Sequence, residues 1–485
     1  MLTTAARTRA GGPSARWINE ASYCAAIAFL LAVCLLSGMR VLTHLRWGLG
    51  LNGFLNTSLP LAGFREADPA TRLTILIAMV LVATGVSMAN SGVSLRVTQV
   101  PGPGLGMHRL LVVALGSAVA LTPLAWSFGS ALTNPANGSP PAAAAEWVRS
   151  HHGAGLVRWA ETQWYSRHPP KVGGLPPPGA IPPAPAATQP PAMLPLDHLP
   201  APQALLPLAS PSLPGEGQWH PAGRPVKGIA AVYEAFMRPD PVHTSVVAGI
   251  AWMDPTLLSA QLNSGGFIPG SGPWQHSAPV PPEHAATLVA AFNGGFRMED
   301  ANGGYFSEGR TVVPLTNGAA SVVISADGKA TVAKWGRDAV MGADIVAVRQ
   351  NLELLVDYGT AVPGLEANDT RRWGVTLGNH VYVWRSGLGV TADGALVYVG
   401  GPALNITTLA DLLVRAGAVR GMELDINTDW VNLSTYNSNP ASPAEAATLL
   451  PSMSGGPGRY FTPSWSRDFL TMSARPPRAT RPAHF

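Results

Sequence analysis

The sequence predicts an α+β fold: a mixed, sheet-rich extracytoplasmic domain behind an N-terminal anchor of three membrane helices. Three observations predict it. The first 135 residues hold three uncharged apolar runs. A proline-rich stretch separates them from the rest of the chain. Beyond that stretch, short apolar runs alternate with Asp-Gly turns around one leucine-rich helical pattern.

Residues 1–135 read as the membrane region. Residues 21–39 (ASYCAAIAFLLAVCLLSGM) carry no charge and are long enough to span a bilayer. No A-x-A cleavage site follows, so this run reads as a retained helix and not a signal peptide. The second run is 73–89 and the third 110–132, whose Pro123 a membrane helix tolerates. Gly48–Phe64 is also apolar, but Asn52, Asn56 and Pro60 make it an interfacial or re-entrant loop. With the N-terminus inside, three spans place the C-terminal half outside. The expectation is a multi-pass plasma-membrane protein with the lipid bilayer as a partner. Residues 136–168 then form a juxtamembrane segment, where Trp147, Trp159, Trp164 and Tyr165 alternate with Arg149, Arg158 and Arg167. A soluble helix packed on the next domain is the other reading of that pattern.

Residues 169–225 read as a linker, because proline at this density fixes φ and removes amide donors. The chain holds 46 prolines and 52 glycines, which argues against one compact globule. Its net charge is only +4, and no arginine cluster is dense enough for a nucleic-acid stripe, so no nucleic-acid partner is expected. Cys24 and Cys34 are the two cysteines, both in the first apolar run. The rest of the chain therefore has neither a disulfide framework nor a Cys-ligated zinc site.

Residues 226–474 form the globular unit, with 475–485 as a disordered tail. Ser245–Met253 and Leu257–Leu262 read as strands, and Glu283–Ala291 as a short helix opening after Pro281-Pro282. Ser321–Ser325 and Ala330–Lys334 flank Asp327-Gly328, a strong hairpin signal. Asn379–Arg385 and Leu388–Thr391 are strand-like, and a second Asp-Gly, Asp393-Gly394, leads into Leu396–Val399. Leu404–Gly417 has Leu409, Leu412, Leu413 and Ala416 at helical spacing, with Thr407 or Thr408 as cap and Gly417 as stop. The strand Gly421–Leu424 follows.

That strand runs into the densest chemistry of the chain, Arg420–Thr435 (RGMELDINTDWVNLST). Glu423, Asp425 and Asp429 crowd together with Asn427 between the aspartates, in a chain only 12% charged. Close carboxylates repel unless a cation, an arginine or a polar ligand compensates them. A loop with acidic caps is the plain alternative. Asp425-x-Asn427-x-Asp429 begins like an EF-hand loop, but Trp430 and Tyr436 stand where glycine and glutamate are needed. A looser divalent cation site is what remains, and no other cofactor is indicated. Asn293-Gly294-Gly295 suits a close backbone approach to a ligand, and equally an Asn-Gly turn. Arg385 ends a strand, where its guanidinium could grip a phosphate or pair with one of the acids.

The order of these motifs resembles the phosphodiester glycosidase family of uncovering-enzyme-like domains. The matching pieces are AFNGGF (Ala291–Phe296), RSGLGVTADG (Arg385–Gly394), LADLLVRAGA (Leu409–Ala418) and ELDINTDW (Glu423–Trp430). The similarity spans about Val280 to Asn432. Family members read LDGGGSS where this chain has LDINTDW; Asp425 stays and the glycine-serine run is replaced. The resemblance implies a hydrolase of a glycosyl phosphodiester or related envelope glycan, with a glycan or sugar phosphate as ligand. The leaving phosphate monoester is already a stable anion and needs little acid help. One carboxylate, one arginine and close backbone donors then suffice. Asp425, Arg385 and Glu423 are the catalytic candidates; Asn293, Gly294, Gly295, Asn427 and Asp429 are the substrate-binding ones. The competing expectation, given the altered run, is a non-catalytic glycan-binding or envelope-organising module on the same fold.

Overall fold

The computed structural model describes residues 122–133, 140–153, 155–157, 159–160, 167, 169–185, 198–270, 272–367, 370–374, 382–437, 446–462 and 465–476. They are mostly antiparallel β-sheet with few helices, which corrects the α+β expectation. Strands are numbered β1 to β18 and helices α1 to α4 in chain order. The largest sheet runs β1 (His220–Ala222), β2 (Val232–Met237), β3 (Ala248–Met253), β14 (Leu396–Leu404), β13 (Val383–Thr391), β15 (Ala418–Asp425), β11 (Leu354–Asp357), β12 (Thr360–Ala361). A second runs β7 (Arg310–Val313), β6 (Tyr305–Ser307), β10 (Ile345–Gln350), β8 (Ala320–Ser325), β9 (Ala330–Lys334). The third runs β17 (Ala446–Thr448), β16 (Leu433–Tyr436), β5 (Leu288–Asn293), β18 (Phe469–Ala474), β4 (Leu258–Asn263). The helices numbered among the described residues are α1 (Pro140–Val148), α2 (Pro282–Ala285), α3 (Thr370–Trp373) and α4 (Ile406–Arg415), apart from the helical stretch 122–133.

Among the described residues no helix is long and apolar enough to cross a membrane. This corrects the three-helix anchor and, with it, the multi-pass plasma-membrane location with an extracytoplasmic domain. Of the third apolar run, only the part from 122 is described, within a helix over 122–133. The runs 21–39 and 73–89, the stretch Gly48–Phe64, Cys24 and Cys34, and residues 477–485 lie outside the described residues.

Both Asp-Gly turns close antiparallel hairpins, β8–β9 at Asp327-Gly328 and β13–β14 at Asp393-Gly394, with Gly328 and Gly394 at positive φ as the turns require. The leucine pattern forms α4, but its cap is Asn405, whose side-chain oxygen accepts the Thr408 N–H at 2.6 Å. Thr407 and Thr408 already lie inside the helix. Its Leu409, Leu412 and Leu413 are buried against Val356, Val397 and Val399 of the large sheet. The helix expected over Glu283–Ala291 stops at Ala285, and Leu288–Asn293 is β5, buried along its whole length. An all-apolar run carries no period, and pairing with β16 and β18 on both edges decides it.

The proline-rich stretch lies partly on the sheet. Leu205 and Trp219 are buried in the cluster that includes Ala235, Met237 and Ile250. Trp219 Nε1 donates to the Gln203 carbonyl at 2.8 Å, and Leu199 N–H donates to Asp254 Oδ2 at 3.0 Å. Glu216 and Arg238 form a buried ion pair at 2.7 Å. These contacts tie residues 199–219 to strands β2 and β3.

Candidate active site

Two sheets meet where β5, β13 and β15 end or bend. The β13–β15 register sets Ser386 opposite Asp425 and Gly387 opposite Glu423, with a bulge between them. A bulge of this kind re-aims side chains beside a site. Asn293, last in β5, is the junction. Its Nδ2 donates to Ser386 Oγ at 3.1 Å, while its Oδ1 accepts the Tyr398 hydroxyl at 2.9 Å and the Asn432 N–H at 3.1 Å. Ser386 Oγ in turn accepts the Asp425 N–H at 3.2 Å. Asn293 and Asp425, 132 residues apart in the chain (425 minus 293), are thereby joined through one hydroxyl.

Asp425 is 5% exposed. Its Oδ1 accepts the N–H of Ile426 at 2.8 Å and of Asn427 at 3.3 Å. Burial pushes its carboxyl up to about 6, against the pull of Arg467 and the two amides. A carboxylate poised near neutrality suits proton transfer. Arg467, one residue before the buried Asp468, lies with its guanidinium 4.4 Å from the Trp430 ring centre, and its charge acts on Asp425. Among the described residues no hydrogen bond ties up that guanidinium. Arg297, just past the Asn-Gly-Gly turn, instead pairs with Glu146 of α1 at 2.9 Å and with Glu299 and Asp300 of its own loop.

Arg385 sits elsewhere than a phosphate contact requires. It is 0% exposed and donates from Nη1 to Glu423 Oε1 at 2.5 Å, itself 0% exposed, and from Nε to the Leu404 carbonyl at 3.0 Å. Burial pushes the Glu423 carboxyl up, and Arg385 pulls it back. This pair is the internal compensation for one of the three crowded acids. Asp429 is met by Ser454 Oγ at 3.4 Å, and its N–H donates to Asn427 Oδ1 at 2.9 Å, so Asn427 braces a turn. Among the described residues no group of three or more His, Cys, Asp or Glu is placed to hold a metal ion.

The glycines of the Asn-Gly-Gly turn answer to the protein's own packing. A Cβ on Gly294 would stand 2.5 Å from Asp468 Oδ2, and one on Gly295 3.0 Å from Arg349 Cζ. Gly294 N–H donates to the Asp468 carbonyl at 3.0 Å, and Arg349 Nε donates to Asp468 Oδ2 at 2.7 Å. Arg349 also donates to the Phe296 carbonyl, and Asn351 Oδ1 accepts the Phe296 N–H at 3.1 Å. Sequence reasoning passed over Arg349, Arg467, Asp468, Ser386 and Tyr398. The one available signal was Ser466-Arg467-Asp468, adjacent opposite charges just ahead of an apolar strand in a sparsely charged chain.

A family model described as phosphodiester glycosidase matches residues 286–425. Over these residues the chain is phosphodiester-glycosidase-like. The matched stretch holds Asn293, Arg385 and Glu423 and ends on Asp425; the altered run Ile426–Trp430 and Arg467 fall outside it. Among solved structures, the zebrafish N-acetylglucosamine-1-phosphodiester alpha-N-acetylglucosaminidase catalytic domain aligns at 15% identity and a TM-score of 0.35, over 52% of this chain and 87% of that one. A hypothetical protein from Synechocystis aligns at 11% identity and a TM-score of 0.28, over 56% of this chain and 68% of that one. No curated protein matches the chain.

Proposed function

We propose that the domain hydrolyses a glycosyl phosphodiester, with Asp425 as the catalytic carboxylate and Arg467 as the phosphate-binding cation. The observation that carries this reading is the pairing itself: a nearly buried carboxylate with its pKa raised to about 6, beside an arginine with no carboxylate bonded to it among the described residues. Asp425 takes the proton of a water as its oxygen bonds to the anomeric carbon. The C1–O bond breaks, and its electron pair leaves with the phosphate monoester. Asn293 and Ser386 act as positioning residues, fixing the backbone of Asp425 through hydrogen bonds. An envelope glycan is the substrate class in keeping with the sequence reading.

A second reading, a glycan-binding module without turnover, draws on the replaced run. Asn427 Oδ1 is occupied by the Asp429 N–H at 2.9 Å, and Ile426 is buried, so little of this segment faces a ligand. Arg467→Gln separates the roles. It removes a charged contact to the phosphate, so binding of a glycosyl phosphodiester should weaken by about 1.5–3 kcal/mol. The fold should be kept with a modest loss of stability above pH 6, because Arg467 bonds no carboxylate but its charge compensates Asp425 through space and its guanidinium lies over Trp430. Calorimetry on the full chain measures the first and urea unfolding the second. Unchanged ligand affinity would remove Arg467 from the site; binding by wild type with no release of reducing sugar would favour the non-catalytic module.

A further inference from the structure

Arg349 and Asp468, 2% and 1% exposed, form a buried ion pair that the proposed chemistry leaves without a role. Arg349 Nε donates to Asp468 Oδ2 at 2.7 Å, and Nη1 donates to the Gln350 carbonyl at 2.7 Å. Its Nη2 reaches the Phe296 carbonyl, just past the Asn-Gly-Gly turn. Asn351 holds the same residue by its N–H, through Oδ1 at 3.1 Å. Asn351 Nδ2 in turn donates to the carbonyls of Glu423 at 2.8 Å and Leu424 at 3.2 Å, just ahead of Asp425. The Asp468 carbonyl accepts the Gly294 N–H at 3.0 Å. One network thus ties together the turn, the end of β10, the end of β15 and the segment ahead of β18.

A buried pair of this kind contributes little net stability, because desolvating two charges offsets most of their attraction. Its placement points to another use. Asp468 directly follows Arg467, and the turn it grips begins at Asn293, so the pair holds two groups that bear on Asp425. The charges alternate along this path: Asp425, Arg467, Asp468, Arg349. Burial pushes the Asp425 carboxyl up, and the charges of Arg467 and Arg349 pull it down. Burial weighs against the charge on Arg467, and Asp425 and Asp468 support it. Glu146 of α1 and Arg297 also act on Arg467. Facing Asp425 besides these are Glu423 of its own strand, paired to Arg385 of β13, and Tyr398 of β14. Strands β5 and β13 add the uncharged Asn293 and Ser386.

We infer that Arg349 and Asp468 are positioning residues of the catalytic site: clasped on the Asn293-Gly294-Gly295 turn, they fix Arg467 relative to Asp425 and set, with opposite signs, the field in which Asp425 works. Both are too deeply buried to touch a substrate. The inference rests on the reading of Asp425 as the base that activates water.

The test reads the titration of Asp425 in the full chain in two ways. One is the carbon-13 signal of its carboxyl in aspartate-labelled protein, assigned by its loss in Asp425→Asn, which needs no turnover. The other is the pH limb of kcat/KM on an activated glycosyl phosphodiester. Arg349→Gln removes a cation that favours the carboxylate, so the midpoint should rise by about half a pH unit. Asp468→Asn removes the opposite charge and keeps the shape, so the midpoint should fall by a similar amount. A pair that served packing alone would lower activity in both variants without moving the midpoints apart. Arg349→Lys keeps the charge but cannot span Asp468 and the Phe296 carbonyl as a fork does. It should leave the midpoint in place and lower kcat/KM roughly tenfold through misplacement. Should Arg349→Gln fail to fold, Arg349→Lys and Asp468→Asn carry the test, the first holding the midpoint and the second lowering it. Midpoints that coincide in all variants, or that move the same way in Arg349→Gln and Asp468→Asn, overturn the inference. A wild type that never hydrolyses the substrate contradicts the proposed hydrolysis, and opposed carbon-13 midpoints would still uphold the role of the pair.

Discussion

Asp425→Asn is expected to stabilise the domain and inactivate it in the same stroke. The folded-state pKa of Asp425 is raised from 3.8 to about 6 by burial. A raised carboxyl stabilises the fold fully only below its unfolded pKa, and that contribution is lost as pH rises through the folded value. Above pH 6 the site therefore holds a charged group that would be better solvated in the unfolded chain. Asparagine keeps the shape, can accept the same Ile426 and Asn427 amides, and carries no charge. Two pKa units correspond to roughly 3 kcal/mol, so a gain of about 1–3 kcal/mol at pH 8 is expected, shrinking to nothing near pH 4. Urea unfolding of both proteins across that range measures it. A variant less stable than wild type at pH 8 would show that Asp425 is held by more favourable interactions than its surroundings indicate.

Breaking the Arg385–Glu423 pair should have the opposite sign and a larger size. Both side chains are fully buried, so Arg385→Ala or Glu423→Ala leaves one uncompensated charge in the core. Removing one partner of such a pair costs about 3–5 kcal/mol, a large share of the stability of an ordinary domain. The double replacement Arg385→Met, Glu423→Leu leaves no orphaned charge and should cost far less than either single change. Equilibrium unfolding of the three variants gives the coupling. If Arg385→Ala folds normally and loses only phosphate binding, Arg385 is a ligand residue after all.

These two predictions mark what the sequence could and could not convey. It placed Asp425 at a strand end, where β15 stops, and grouped Asn293 with Arg385; Asn293 reaches Asp425 through Ser386, whereas Arg385 turns to Glu423. It could not show which way Arg385 faces. An arginine at a strand end beside acids reads equally as a ligand hook or as the inner half of an ion pair, and the β13–β15 register decides. Hairpins closed by Asp-Gly were legible because their information is local. Arg467 and Asp468 were not, because the β5–β18 pairing that brings Phe469 opposite Asn293 joins segments far apart in the chain. The β-rich class was blurred for a related reason. Strands as short as Thr360–Ala361 carry no periodicity, and the apolar run of β5 reads as helix until its neighbours are known. The anchor expectation came from apolar runs alone, and among the described residues no helix is long and apolar enough to cross a membrane.

The central claim is that Asp425, as a carboxylate, activates the water that cleaves a glycosyl phosphodiester. The most direct measurement is the pH dependence of kcat/KM on an activated glycosyl phosphodiester, for wild type beside Asp425→Asn and Asp425→Glu. The account predicts a rate that rises with pH through an apparent pKa of about 6 and levels above it, since the base must be deprotonated. Asp425→Asn should show no turnover, and Asp425→Glu a weak activity with a displaced limb. An Asp425→Asn protein that hydrolyses the substrate with the same limb as wild type would contradict the claim.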